Sequence, residues 1–488
     1  MKAVFDYVDA PGGSGKTYAL ANRAIQLVQQ GETVLIIQPT ILLIRETAEA
    51  YFENTLHRVI NSENSDGGTI ETIQEYLKQP ITEPHILLIT WAAFVNLPYF
   101  HDKSSWHVFV DEVPQVYELF DEPASISHGT VTAYLDYTQI GIRYGLVYPT
   151  DQAQMRKVAE SSKQDTAIKT YAILARKMID GKWQSFVDMK RFDDLRSGHN
   201  RQLTIYHILQ PTILMGFASV MIFGARFQET MLYKIWSKKD VKFNAAVDIG
   251  LRYTEHNNGE LLTIHYGFAA DWSKEKRGKV NSDVIKAYVD AVEKVLVSDK
   301  TLWIANKDII HSPFSEPGSS TKHTRLPNFP HGINIYQYEY DNIVSLSALN
   351  PPKHMFNFMN WLNISADELR TSTYNHVVYQ SILRCSIRDQ SNRNPKRVFV
   401  PDLKLAKWLQ VIFQGSIVVP LDIPSDVMKM KKPGRAKIYA SDADRLRAYR
   451  AKKKIAEKDK HAEFLDQVEV TSAHLANTSG PQPITGFF

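Results

Sequence analysis

Short apolar runs and longer amphipathic stretches alternate along the first 120 residues or so of this chain. The runs Ala3–Val8, Val34–Ile37, His85–Thr90 and Val108–Val110 have the length and the β-branched content of buried strands. Between them, apolar residues recur at helical spacing, as in Tyr18–Val28. Because strands that alternate with helices form parallel sheets covered on both faces, this pattern predicts an α/β domain.

The pattern changes from about residue 125 to 205. Apolar residues there spread at helical spacing among many charged ones, as in Lys169–Lys177, which predicts a mostly helical insertion. Strand-like runs resume at Leu203–Leu214 and Ser219–Ala225. We therefore expect a first domain over 1–240 that contains this insertion.

A second α/β region is predicted over 241–420. Its predicted strands are Leu261–His265, Thr301–Ala305, Ile333–Tyr338, Ile343–Leu346 and Arg397–Val400, and its predicted helices are Ser282–Val297 and Tyr374–Arg388. The sequence thus predicts two tandem parallel-sheet domains, followed over 421–488 by a tail that is partly helical or disordered.

Composition narrows the class of protein. The 488 residues are 44% hydrophobic and 23% charged, as in ordinary globular proteins. No apolar run approaches the ~18–20 residues that span a bilayer, and the chain starts directly with a strand rather than a signal peptide. The single cysteine, Cys385, excludes an intrachain disulfide framework. We expect a cytoplasmic protein with no membrane partner.

Positive charge is concentrated near the C-terminus. The net charge is +4, but Lys429–Lys460 holds thirteen Lys/Arg against four Asp/Glu, so the rest of the chain is net negative. Within this block, Lys431–Lys437 resembles the core of an AT-hook, which lies in a narrow minor groove. Arg435, Arg447 and Arg450 are candidate contacts to nucleic-acid phosphates. A tail that only increases solubility is the alternative.

A glycine-rich turn follows the first predicted strand. It has the sequence Ala10-Pro11-Gly12-Gly13-Ser14-Gly15-Lys16-Thr17, which differs from the phosphate-binding loop G-x-x-x-x-G-K-[ST] only at its first position. Glycines let successive backbone N–H groups point at phosphate oxygens, and the helix N-terminus adds partial positive charge. Lys16 would reach the β- and γ-phosphates, and Thr17 would bind Mg²⁺.

A second nucleotide-binding element is predicted at the end of a later strand. Asp111 and Glu112 follow the apolar run Val108–Val110, and parallel strands bring their carboxyl ends to one edge of a sheet. Asp111 would bind Mg²⁺. Glu112 would orient the attacking water and accept its proton.

Taken in order, these motifs resemble the DExD/H-type helicases and translocases of superfamily 2. The resemblance implies that Thr40 and Thr90, in Gln38-Pro39-Thr40 and Ile86–Thr90, touch the nucleic-acid backbone. Phe223-Gly224-Ala225-Arg226 lies where the family carries Ser-Ala-Thr, and Leu302–Asn306 and His331–Asn334 lie near two further family motifs. The short N-terminus and the divergence suggest a phage or mobile-element member, which would act in the host cytoplasm.

The segment Tyr379–Arg388 resembles the family's arginine motif. On a helix, residues four and eight positions apart drift by only ~40° per step, so Gln380, Arg384 and Arg388 would share one face. Two guanidinium groups on one face suit an anionic target such as a γ-phosphate. A solvated helix face is the alternative.

The combined prediction is a motor with two RecA-like domains and ATP with Mg²⁺ between them, acting on single-stranded or forked DNA in replication or recombination. Other replication or recombination proteins are possible partners. A packaging ATPase of the terminase type is the alternative, with Asp248, Asp271 and Asp402 as candidate nuclease ligands. A small-molecule kinase or a nucleotide switch is the third option.

Overall fold

The computed structural model describes residues 3–65, 67–124, 128–161, 166–278, 282–296, 300–314, 323–327, 335–424 and 427. The side chains of 166–168 and 337 are not described. These residues form a first lobe, an insertion within it, and a second lobe. None of the described helices is both long and apolar enough to cross a bilayer.

The first lobe is built on seven described parallel strands in the order β12-β1-β11-β5-β2-β4-β3. Its first elements are β1 (Ala3–Asp9), α1 (Lys16–Gln29), β2 (Thr33–Gln38), α2 (Ile41–Tyr51), β3 (His57–Val59), α3 (Thr69–Lys78), β4 (Ile86–Thr90), α4 (Trp91–Asn96) and β5 (Trp106–Asp111). After the insertion the lobe is completed by β11 (Ser219–Gly224), α9 (Met231–Trp236) and β12 (Val241–Ala245).

Both faces of this sheet are buried. Val34 and Ile36 of β2 pack against α1 and α2, whereas Leu35 and Ile37 belong to the core on the opposite face. Because successive strand residues point to opposite faces, a continuous apolar run suits a central strand covered on both sides. β12 pairs with β1 as far as Ala245, so the first lobe extends beyond the predicted boundary at residue 240.

The insertion is not mostly helical, which corrects the prediction. Five described strands form an antiparallel sheet in the order β6-β10-β9-β8-β7, accompanied by four helices. Its elements are β6 (Tyr117–Pro123), α5 (Gly129–Thr132), β7 (Leu135–Gln139), β8 (Tyr144–Pro149), α6 (Gln152–Glu160), α7 (Thr166–Ile179), β9 (Trp183–Asp188), α8 (Met189–Arg196) and β10 (Gln202–Leu209). The segment is therefore also longer than 125–205.

The second lobe contains six described parallel strands in the order β15-β14-β16-β17-β13-β18. Its elements are β13 (Leu262–Phe268), α10 (Lys274–Arg277), α11 (Asp283–Val295), β14 (Thr301–Ile304), β15 (His323–Arg325), β16 (Asn342–Ser345), α12 (Lys353–Trp361), α13 (Ala366–Arg370), α14 (His376–Ile382), β17 (Lys396–Asp402), α15 (Leu403–Ile412) and β18 (Ile417–Pro420). Two parallel-sheet α/β lobes in tandem are thus confirmed.

Two predicted elements of the second lobe are wrong. Ile335–Tyr338 forms a short 3-10 helix instead of a strand. The predicted helix over Tyr374–Arg388 is broken: a π-helical turn at 371–375 leads into α14, which ends at Ile382, and a 3-10 turn covers 386–388. The backbone between these pieces is irregular, so helical spacing does not describe it.

The helix α12 connects the second lobe to the insertion. The ring of Phe358 stacks on Tyr206 of β10 with centroids 4.2 Å apart, and Trp361 packs on Tyr144 of β8 at 5.1 Å. Phe358 and Met359 are fully buried within the core that extends under the first sheet. The insertion sheet therefore has one apolar face covered by a helix from a distant part of the sequence.

Candidate nucleotide site between the lobes

The phosphate-binding loop has the predicted strand–turn–helix geometry. β1 ends at Asp9 and α1 begins at Lys16. Gly13 and Gly15 have φ of +87° and +85°, which favour glycine, and a Cβ on Gly13 would lie 2.5 Å from the Tyr253 hydroxyl. The Ala10 N–H donates to the carbonyl of Gly224 at the end of β11 (2.9 Å), which ties the loop to the neighbouring strand.

The lysine of the loop is held close to the backbone. Lys16 is only 7% exposed, and its Nζ donates to the carbonyls of Ala10 and Pro11, each at 2.9 Å. Burial lowers the pKa of Lys16, while the nearby Glu112 and Asp111 oppose that shift. The two carboxylates favour the charged form of Lys16, which is the form that attracts a phosphate.

Asp111 lies at the end of β5, where the prediction placed it. Its Oδ2 accepts from Thr17 Oγ1 (3.1 Å) and from Gln38 Nε2 (2.9 Å). Burial raises the pKa of Asp111 to about 6, and the charge of Glu112 adds to the increase. Hydroxyl and carboxylate oxygens are the ligands that Mg²⁺ prefers, so Thr17 and Asp111 together fit this ion.

Glu112 follows Asp111 with unusual backbone geometry. Its φ is +69°, a left-handed conformation that non-glycine residues rarely adopt and that occurs often at functional sites. The residue lines the cleft between the lobes together with Lys16 and Thr17. This position suits the predicted base, because the carboxylate borders the same space as the phosphate-binding loop.

The second lobe contributes Gln380, Arg384 and Arg388 to this cleft, although they do not share one helix. Gln380 belongs to α14, Arg384 follows the end of that helix, and Arg388 ends the 3-10 turn. All three line a cleft of about 490 Å³ together with the phosphate-binding loop. The structure therefore brings the three predicted residues together by irregular backbone rather than by a helical stripe.

Burial disfavours the charged form of both arginines. Arg384 is 4% exposed, and burial lowers its pKa to about 10, with repulsion from Arg388 as the next contribution. Burial also lowers the pKa of Arg388. Attraction by Glu112 opposes both shifts. An anion in the cleft would stabilise the buried Arg384 guanidinium and the partly buried one of Arg388.

Several residues at the cleft were not among the site residues that the sequence predicted. The Tyr253 hydroxyl donates to the carbonyl of Gly12 (3.0 Å), and the Arg252 N–H donates to that of Ser14 (2.8 Å). The Tyr379 hydroxyl accepts from the Gly12 N–H at 3.4 Å. Only Tyr379, beside Gln380, lay within a segment that the sequence had marked.

The two threonines that were predicted to touch nucleic acid both cap helices. Thr40 Oγ1 accepts from the Leu43 N–H (3.2 Å) at the start of α2, and Thr90 Oγ1 accepts from the Ala93 N–H (3.1 Å) at the start of α4. Gln38 and Thr90 are register partners on adjacent strands, so the two helix N-termini are neighbours. Each hydroxyl retains its own hydrogen for donation to a phosphate.

The other predicted nucleic-acid contacts, Arg435, Arg447 and Arg450, lie outside the described residues, as does His331–Asn334. Arg226, in the segment after β11, forms an ion pair with Glu229. It thus does not serve as a free cation at the end of that strand.

Comparison with known proteins yields only distant structural similarity. No family model and no curated protein matches the chain. The chain is similar to the structure of S. tokodaii Xpd4, with 10% identity, a TM-score of 0.46, and coverage of 86% of this chain and 96% of that one. It is also similar to S. cerevisiae Dbp5 bound to RNA and ADP BeF3, with 12% identity, a TM-score of 0.37 and 88% of each chain covered.

A third similar structure is the complex of arterivirus nonstructural protein 10, a helicase, with DNA. The identity is 9% and the TM-score 0.25, over 84% of this chain and 63% of that one. With TM-scores below 0.5, none of these similarities assigns the chain to a family.

Proposed function

We propose that this chain is an ATP-dependent helicase or translocase that acts on nucleic acid, most readily on DNA. One observation carries the proposal: Lys16 and Glu112 of the first lobe face Arg384 and Arg388 of the second lobe across a single cleft. A nucleotide held by such a pair of surfaces links its hydrolysis to the relative position of two lobes.

Each side chain at the cleft has a distinct proposed role. The loop amides and Lys16 bind the phosphates, and Thr17 with Asp111 would hold Mg²⁺, which when bound neutralises phosphate charge. Glu112 orients a water molecule and accepts its proton. Arg384, with Arg388 and Gln380 beside it, stabilises the charge that develops on the transferred phosphoryl group.

The nucleic-acid track is proposed to cross the N-termini of α2 and α4. Thr40 and Thr90 cap these two helices, which start at the ends of the adjacent parallel strands β2 and β4. Phosphates bind well at helix N-termini because of the backbone N–H donors and the helix dipole. The basic C-terminal block, with Arg435, Arg447 and Arg450, adds phosphate contacts and is the reason to favour DNA.

The nuclease alternative is not favoured by any described residue. Asp402 is fully buried and accepts from Arg370, and Arg370 also contacts Asp271 at 3.2 Å. Within the described ranges, no three acidic or histidine side chains come together as a metal site would require. A carboxylate that is already paired with a buried arginine is a poor cation ligand.

ATP hydrolysis with and without oligothymidylate tests the proposal. We expect strong stimulation by the oligonucleotide and loss of hydrolysis in Lys16→Ala, by at least about a thousandfold if the lysine acts on the transferred phosphoryl group. The proposal is overturned if Lys16→Ala hydrolyses ATP as fast as the parent. It is also overturned if neither DNA nor RNA changes the rate.

Cleavage of DNA in the presence of Mg²⁺ would instead support the terminase-type alternative. Hydrolysis that responds to no nucleic acid would support a kinase or a switch. A displacement assay with forked DNA then separates unwinding from translocation alone.

A further inference from the structure

A continuous path of hydrogen bonds joins the phosphate-binding loop to helix α2. Its centre is Gln38, the last residue of β2, whose side chain is fully buried. Gln38 Nε2 donates to Asp111 Oδ2 and to Thr47 Oγ1, each at 2.9 Å. Because Thr17 donates to the same Asp111 oxygen (3.1 Å), the path starts at the loop itself.

The orientation of the Gln38 amide is fixed by its partners. Thr47 uses its only hydroxyl hydrogen to donate to the carbonyl of Leu43 (2.7 Å), so its oxygen can only accept from Gln38. The ionised Asp111 can likewise only accept. Both hydrogens of the Gln38 amide nitrogen are therefore committed, one to each partner, and the amide cannot flip without losing both bonds.

The path continues from Thr47 to the N-terminus of α2. Leu43, whose carbonyl accepts from Thr47, donates its N–H to Thr40 Oγ1 at 3.2 Å. Thr40 is one of the two threonines at the proposed nucleic-acid track. A chain of buried and partly buried hydrogen bonds, joined through the backbone of Leu43, thus links the candidate Mg²⁺ ligand Asp111 with a candidate nucleic-acid contact.

The buried position of Gln38 makes the link sensitive to movement. Its Oε1 is buried and has no hydrogen-bond partner among the described residues, so only the two donated bonds hold the amide. A bond that breaks in a buried site leaves an unsatisfied donor, which is unfavourable. A shift of α2 would therefore move Gln38 rather than leave it behind, and Gln38 would displace Asp111.

We propose that Gln38 and Thr47 are positioning residues that couple nucleic-acid binding at the start of α2 to the placement of Asp111 in the nucleotide site. This inference rests on the proposed function. A nucleic-acid strand that binds Thr40 would shift the position of α2. The hydrogen bonds of Thr47 and Gln38 would pass this shift on to the Asp111 carboxylate. The coupling is reciprocal, so nucleotide binding changes the affinity for nucleic acid by the same factor.

The test compares Thr47→Val with Thr47→Ser in the full chain. Valine matches the shape of threonine but lacks the hydroxyl, whereas serine retains it. The first readout is the ratio of ATP hydrolysis with and without oligothymidylate. The second is the ratio of oligothymidylate affinities with and without a non-hydrolysable ATP analogue. Residues that matter only for stability would change neither ratio in the protein that remains folded.

We expect Thr47→Val to reduce both ratios by about fivefold or more, the range of ordinary allosteric coupling, while Thr47→Ser keeps both near those of the parent. Gln38→Leu removes the bridge from the other end and should reduce the same ratios. In the double variant, Thr47→Val should add little to Gln38→Leu, because residues of one path are not additive.

Three results would overturn the coupling. Thr47→Val could keep the parent ratios, Thr47→Ser could lose them as fully as valine does, or the effects of Gln38→Leu and Thr47→Val could simply add. In each case the parent still shows stimulation, so the proposed function stands. If the parent itself responds to no nucleic acid, the proposed function fails and the coupling fails with it.

Discussion

Asp111 and Asp402 occupy equivalent places in the two lobes but have opposite surroundings. Each is a buried carboxylate at the end of a central parallel strand. Asp402 Oδ2 accepts from Arg370 Nη2 at 2.8 Å, and its Oδ1 caps α15 through the Leu405 N–H (3.0 Å). The described hydrogen-bond donors of Asp111 are the neutral side chains of Thr17 and Gln38.

The difference shows how to distinguish a structural carboxylate from a functional one. The negative charge of Asp402 is already balanced by a buried arginine, and removal of either partner would leave an uncompensated buried charge. That of Asp111 is not balanced by a contacting cation, and its raised pKa reflects this cost. A buried carboxylate without a contacting cation is suited to bind one, and Mg²⁺ is the cation that fits here.

Two arginines of the second lobe, Arg370 and Arg384, differ in the same way as the two aspartates. Arg370 and Arg384 are both buried, at 5% and 4% exposure. Arg370 contacts two carboxylates of its own lobe, Asp402 and Asp271. Arg384 instead lines the cleft that faces the phosphate-binding loop. The first arginine pairs with carboxylates inside its lobe, and the second borders the cleft between the lobes.

The largest expected effect is a difference in ATP hydrolysis between variants of Asp111 and of Asp402. Asp111→Asn should lower kcat for ATP hydrolysis by about a thousandfold, because several kcal/mol of charge stabilisation depend on the metal ligand. Asp402→Asn, assayed well below its melting temperature, should retain kcat. Steady-state hydrolysis at saturating Mg²⁺ measures both, and equal losses in the two variants would remove the distinction.

A comparable loss is expected at Arg384. Arg384→Ala should lower kcat by about a thousandfold, the lower end of the effect of arginines on phosphoryl transfer, while nucleotide binding changes little. Arg384→Lys keeps the charge but loses the planar fork, so it should recover only part of the rate. Single-turnover hydrolysis together with nucleotide titration tests this. A kcat for the alanine variant within tenfold of the parent would contradict the role.

For the stability of the fold, Asp402 should matter more than Asp111, which is the reverse of their order for activity. Asp402→Asn leaves the Arg370 charge buried without its main partner, so the free energy of unfolding should fall by about 3–5 kcal/mol. Asp367→Asn is the matched control, because Asp367 pairs with Lys404 on the surface and should cost under about 1 kcal/mol. Urea unfolding without Mg²⁺ measures both. Similar values for the two variants would contradict the structural role of Asp402.

The smallest predicted effect is a dependence of stability on pH. The pKa of Asp111 is raised to about 6 in the folded chain from 3.8, so the folded state binds more protons between these values. Stability from this group is therefore lost as pH rises through about 4 to 6. Asp111→Asn lacks this loss and should be more stable than the parent near pH 7, by up to about 3 kcal/mol.

Urea unfolding of both proteins without Mg²⁺, from pH 4 to pH 7, tests this sign. The advantage of Asp111→Asn should become small near pH 4, where the pH approaches the unfolded-state pKa of 3.8. An advantage that is constant across this range would assign it to another cause.

How far the sequence predicted the site depends on the kind of element. The glycine turn and the strand end at Asp111 depend on contacts within a few residues, and their local pattern predicted them. The sequence analysis did not predict that Thr40 and Thr90 cap helices. Gln380, Arg384 and Arg388 were predicted to share a helix. They meet at the cleft although α14 ends at Ile382.

The insertion shows where local pattern fails. Tyr144 and Phe186 pack on Phe358 and Trp361 of α12, some 170 residues or more further along the chain. Those aromatic contacts cover one face of the antiparallel sheet. The residues that bury this face therefore lie far from the strands in the sequence, where a local pattern does not show them. The helices α6 and α7 carry the clear periodicity, and they dominated the prediction.

The sequence by itself determined the two tandem parallel-sheet α/β lobes, the phosphate-binding turn and the acidic strand end, because backbone propensity and residue periodicity act over short distances. Only the tertiary structure decided that Arg370 neutralises Asp402, that Arg384 lines the cleft, and that Gln38 bridges Asp111 to Thr47. These partners lie on different elements. Their pairing depends on packing and on the cost of burying charge, neither of which a local pattern contains.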